Sequence, residues 1–94
     1  MGTLFEAARS NDAVWATSLL QGGADMEAKD AVGGTALMVA AYCGSVEVAK
    51  LLVEAGADRE AKRASGATAL ILAAQFGSVK VAKVLVEAGA DKEA

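Results

Sequence analysis

Histidine is absent from this sequence. With it go the commonest general base and a leading metal ligand, and a Ser-His-Asp or Cys-His catalytic group is excluded. The single cysteine, Cys43, makes neither an internal disulfide nor a zinc site. A lone thiol predicts a reducing, intracellular setting, cytoplasmic or nuclear. There is no Gly-Lys pair and no G-x-G-x-x-G, which removes the P-loop and the dinucleotide-binding fingerprint. Basic residues never run longer than the pair Lys62 and Arg63, and the net charge is −3. A nucleic-acid footprint needs a clustered basic face. The charge-free stretch between Asp30 and Glu47, as long as any in the chain, is broken by Gly33, Gly34 and Gly44 and is too interrupted to span a bilayer. "MGTLFEAARSND" lacks the basic start and apolar run of a signal peptide. Gly2 begins a myristoylation pattern, but Glu6 stands where that pattern wants Ser or Thr. The expectation is a non-enzyme with no cofactor and no metal, binding neither nucleic acid nor membrane.

Aromatics are also scarce, at 4%, although 54% of the chain is hydrophobic, much of it alanine. Such a composition suits thin, close-packed helices better than a sheet sandwich. What the chain has in plenty is repetition. "TALMVAAYCGSVEVAKLLVEAGAD" at residues 35–58 returns as "TALILAAQFGSVKVAKVLVEAGAD" at residues 68–91. The step is 33 residues, and "TLFEAARSNDAVWATSLLQGGADMEAK" is a degenerate first copy in the same register. A fixed period of this size signals a stacked array of small units. One domain over residues 1–94 is expected, with units at 1–29, 30–62 and 63–94.

Each unit reads as helix, turn, helix, loop. Thr3, Thr35 and Thr68 are placed to cap the first helices, and Glu6 completes a capping box with Thr3. Asn11, Gly44 and Gly77 follow those helices, where a left-handed residue is wanted. Asp12, Ser45 and Ser78 should cap the second helices, and Gly23, Gly56 and Gly89 should end them. The segments "ADMEAKDAVGG" and "ADREAKRASGA" are turn-rich and charged, and should project as loops or hairpins. The acidic pairs Asp25/Glu27, Asp58/Glu60 and Asp91/Glu93 fall in these turns and read as solvated charges rather than acid–base pairs.

The chain resembles the ankyrin repeat family over essentially its whole length. The family's "TPLHxA" stands as "TALMVAA" and "TALILAA", and its glycine after the first helix and its "GAD" are both present. Ala36 and Ala69 replace the usual proline, and Met38 and Ile71 the usual histidine. The resemblance implies an all-α solenoid of three stacked helix-turn-helix-loop units. It also implies a protein-protein interaction module that uses hairpin tips and the concave side of the first helices. By position, the contacts it implies are Ala31, Val32, Gly34, Tyr42 and Cys43 in the second unit. In the third they are Ala64, Ser65, Ala67, Gln75 and Phe76. Val32, Tyr42 and Phe76 would form an apolar strip rimmed by Asp30, Lys62, Arg63 and Gln75, the usual anatomy of an interface. The alternative is a structural spacer fragment of a longer array, with no binding site of its own.

No unit buries its apolar stripe alone. Glu47, Lys50 and Glu54 mark the solvated face of the second helix in the middle unit, as Lys80, Lys83 and Glu87 do in the third. Trp15 takes the place of Val48 and Val81 and is read as core filler. In the first unit Glu6 replaces Val39 and Leu72, and Ser18 replaces Leu51 and Val84; the unit has the character of an N-terminal cap. The third unit has no such polar changes. Its Leu72, Val81 and Val84 are therefore expected at an open, apolar end available to another molecule, including weak self-association.

Overall fold

The computed structural model describes residues 3–88. Six helices follow in order: α1 (Leu4–Ser10), α2 (Ala13–Gln21), α3 (Ala36–Cys43), α4 (Val46–Glu54), α5 (Ala69–Gln75) and α6 (Val79–Glu87). No strand occurs among the described residues. The first helices α1, α3 and α5 pack in one row, and the second helices α2, α4 and α6 in another. Gly89, Asp91 and Glu93 lie outside the described residues.

The first helices start where the threonines predict. The hydroxyls of Thr3, Thr35 and Thr68 accept from the backbone N–H groups of Glu6, Met38 and Ile71. Glu6 returns the bond to the Thr3 N–H at 3.1 Å, so both halves of the capping box are present. Asn11 (φ 54°) and Gly44 (φ 72°) close α1 and α3 in the left-handed conformation, where most side chains are strained.

The second helices start differently. Asp12 caps α2 through Trp15 N, but neither Ser45 nor Ser78 makes a side-chain cap. The Ser45 hydroxyl is turned away and donates to the Ala8 carbonyl of the preceding unit. The cap of α4 comes instead from Asn11. Its amide oxygen accepts from Val48 N at 3.2 Å, and its amide nitrogen donates to Glu47 at 2.6 Å. The first unit thus supplies the helix cap that the second lacks. Gly44 holds the same place one unit on and has no side chain to offer α6.

Burial follows the stacking. Helix α3 lies between α1 and α5, and every residue from Ala36 to Ala41 is buried. Leu37, Leu52, Leu72 and Leu85 are among the largest fully enclosed side chains. Trp15 is half-buried against this core.

The open end is not where the sequence put it. Leu72 and Val81 are 0% exposed, and Val84 is half-buried. Their counterparts explain why. Val39 and Val48 are just as enclosed, while Glu6, at the corresponding place in the first unit, is exposed. Leu72 and Val81 are enclosed in the third unit as Val39 and Val48 are in the second, so these positions face into the stack. The residues a following unit would cover are those less buried in the third unit than in the second. Leu70 and Ile71 are half-buried where Leu37 and Met38 are buried. Ala74 is exposed where Ala41 is enclosed, and Val79 reaches 75% exposure where Val46 is half-buried.

Candidate functional site

Two hairpin turns stand beside the first helices. In the turn of the second unit Gly33 N donates to the Asp30 carbonyl, and Asp30 N to Gly34 O. The Asp30 carboxylate accepts from Val32 N and Gly34 N at 3.0 and 2.8 Å, an aspartate organising its own turn. In the third unit Gly66 N bonds Arg63 O, and Arg63 N bonds Ala67 O. A bond from Ala64 N to Val32 O joins the two tips at 2.9 Å. Behind them Glu27 accepts from Asp58 N across the units at 2.9 Å, and Asp25 and Asp58 each close a local turn. These carboxylates are therefore more than solvated charge; they order the loops.

On this frame the candidate contacts divide. Ala31, Val32, Ala64 and Ser65 are exposed at the tips. Gly34 is buried: a Cβ there would lie 3.2 Å from the Asp30 carboxylate. It is a turn residue rather than a contact. Ala67 is 8% exposed and forms part of a wall. On the first helices Cys43, Gln75 and Phe76 are exposed and Tyr42 is half-buried. Phe76 follows the last residue of α5 and is 61% exposed. Its ring centroid lies 5.7 Å from that of Tyr42, with the planes tilted by 43°. The two aromatic positions are offset by one residue within their units, so the pair runs diagonally from α3 to the end of α5.

Between the third hairpin and α5 lies a groove of about 350 Å³. Ser65, Gly66 and Ala67 form its loop side, and Ile71 and Gln75 its helix side. Arg63 completes it and donates from Nε to the Ser65 hydroxyl at 3.3 Å. Sequence reasoning placed Ser65, Ala67 and Gln75 among the contacts and Arg63 at the rim. It missed Ile71, which the repeat pattern marks as interior because Met38 is. Ile71 is half-buried where Met38 is buried.

Among the described residues no group of three or more His, Cys, Asp or Glu is placed to hold a metal ion. No helix of the described residues is long and apolar enough to cross a membrane. The carboxyl of Glu47 is held below its ordinary value, chiefly by the Asn11 hydrogen bond, then by its own backbone N–H and by Lys50 and Lys80. It lies on α4, and its role is in joining units. A family model for ankyrin repeats, in 3 copies, matches residues 4–94. No curated protein matches the chain.

Proposed function

The chain belongs to the ankyrin repeat family, and from that membership we propose that it is a non-enzymatic module that binds a protein partner through its hairpin tips and the concave side of its first helices. Ankyrin repeats are generally protein-protein interaction modules and are typically non-enzymatic. The observation that carries the finer reading is the Tyr42–Phe76 pair. An aromatic side chain 61% exposed, tilted against a second one and next in sequence to polar Gln75, has the composition of an interface anchor. The exposed tips at Ala31, Val32, Ala64 and Ser65 extend that surface over two units.

The test is a partner-capture assay with the chain and with Tyr42→Ser and Phe76→Ser variants. Loss of binding by folded variants is the expected result. Binding unchanged by both substitutions, with intact melting curves, would overturn the concave assignment in favour of another surface. A structural spacer would capture no partner with either form.

A further inference from the structure

Charge is spread unevenly along the row of second helices. A furrow runs between α4 and α6 as two adjoining cavities. The first, of about 260 Å³, is lined by Val46, Lys50, Lys80, Lys83, Val84 and Glu87. The second lies toward the helix C-termini and holds about 320 Å³; it shares Lys50, Val84 and Glu87 and adds Val53, Glu54 and Ala88. Val46, Val53 and Val84 are half-buried and supply the apolar surface, while the lysines and glutamates are exposed. Lys50 belongs to the unit that has a neighbour on each side, and it is exposed all the same. Lys83 holds its place one unit on, so this face lies outside the surfaces that units bury against each other. The lysine cluster is particular to this furrow. At the corresponding places between α2 and α4 stand Thr17, Glu47 and Lys50. Glu47 borders the furrow but lines neither cavity. Its carboxylate is taken by the Asn11 amide at 2.6 Å, with Lys50 and Lys80 near enough to favour its charge. Lys83 and Glu87 stand four residues apart with the lysine first, the order that pairs less well on a helix, and among the described residues no ion pair engages either.

We infer that the furrow between α4 and α6 receives a short mixed-charge segment of a protein partner, with an acidic side chain among Lys50, Lys80 and Lys83 and a basic one beside Glu54 and Glu87. This surface needs nothing of the concave contacts proposed above. The argument for its occupant is charge complementarity. Three ammonium groups round one cavity favour a carboxylate, but Glu54 and Glu87 follow them along the same furrow. A nucleic-acid strand or an anionic lipid surface would meet those carboxylates and be repelled. A segment that changes sign along its length satisfies both ends, and its apolar carbon chains rest on Val46, Val53 and Val84. The spacing follows from the helices. Lys50 and Glu54, like Lys83 and Glu87, are four residues apart, which is about 6 Å along a helix axis. An extended chain rises about 3.3 Å per residue, so residues two apart on one of its faces span the same distance, as do residues four apart in a helix.

The experiment selects random linear peptides, displayed on phage, against the immobilised full chain after depletion on a variant carrying Lys50→Thr, Lys80→Gln and Lys83→Gln. Thr17 already stands at the first of these places one unit earlier, and a melting curve checks that the variant folds. Surviving peptides are expected to carry an acidic and a basic residue two or four positions apart. Single exposed ion pairs contribute little, so the three lysines are removed together. The triple variant is expected to weaken the best peptide by about tenfold, and added salt should weaken it further on the unchanged chain. Phe76→Ser should leave its affinity as it was. Changing the peptide's acidic residue to lysine should abolish binding, and Lys83→Glu in the chain should restore part of it; no restoration would overturn the direct pairing. Survivors that need Phe76 would return the site to the concave face. Survivors with acidic residues alone, displaced by heparin, would make the furrow a general anion surface instead. A dimer of the free chain in sedimentation that the triple variant dissociates would put a second copy of the chain there. No surviving peptide at all would overturn the inference and leave the concave reading untouched.

Discussion

Phe76 and Asn11 show how much a single side chain does when it stands between units. Phe76→Ala removes an exposed ring and its contact with Tyr42. Partner affinity is expected to fall by about 1–2 kcal/mol, while stability falls by no more than about 1.5 kcal/mol, the range of one aromatic pair. Calorimetry and a binding titration on the same sample separate the two; a stability loss several times larger would make Phe76 a core residue. Asn11→Gly keeps the left-handed backbone and deletes only the side chain. It should lower stability by about 1 kcal/mol, the usual worth of a helix cap, and let Glu47 titrate higher. The sign follows from the Asn11 bond. Glu47 in the folded chain lies below its ordinary value of 4.5, so its ionised form contributes stability above that pH, and the contribution is lost as pH falls through the folded value. The gap between the two proteins should therefore narrow on acidification, as far as Glu47 causes it. An NMR titration of Glu47 that is unmoved by Asn11→Gly would refute the link.

The elements carry the next level of the argument. Helix α6 has no side-chain cap of its own, and its predecessor offers Gly44 where α4 is offered Asn11. Gly44→Asn should supply the missing cap: the added Cβ finds only the Ser78 hydroxyl, at 3.6 Å. Because Asn also tolerates the left-handed region better than Ala, the comparison needs a control. Gly77 (φ 70°) follows α5 and supplies it. The stability advantage of Asn over Ala should be larger at position 44 than at position 77, by about 1 kcal/mol; equal advantages would leave only the backbone preference. Leu72→Ala is expected to cost roughly 2–5 kcal/mol, as is Leu52→Ala, since both side chains are enclosed by helices of two units. Val79→Ser, at 75% exposure, should change the melting point little. The reverse order would restore the open end to Leu72. The helices and their first caps were legible in sequence because threonine, glycine and asparagine act locally, within one turn. The caps of α4 and the burial of Leu72 were not. Both depend on which side of a unit meets its neighbour, and a repeat pattern gives the spacing of positions but not the sense in which they face.

At the scale of the whole molecule, period and family fixed three stacked units, and the aromatic pair emerged among the residues the repetition leaves free to vary. On the third unit the more accessible apolar residues are Leu70, Ile71, Ala74 and Val79 rather than Leu72 and Val81. Most bonds between units run one way: Ser45 donates to Ala8, Val48 to Asn11, Asp58 to Glu27 and Ala64 to Val32, the later unit to the earlier, while the Asn11 amide nitrogen donates the other way, to Glu47. This sense coincides with that of synthesis. A ribosome adds about 5–20 residues per second, so each unit emerges over seconds, against microseconds for a helix to form. A finished unit thus has time to form before the next one reaches it. Chains stalled at increasing lengths should gain protease resistance in steps of one unit, most of it when residues 63–88 appear, since about three units are needed for a stable stack. A smooth rise with length would contradict this order. Stepwise resistance would mean that translation guides the stack together as well as making the chain: most of its donors arrive after the acceptors they are meant for, and Asn11 waits with one of each.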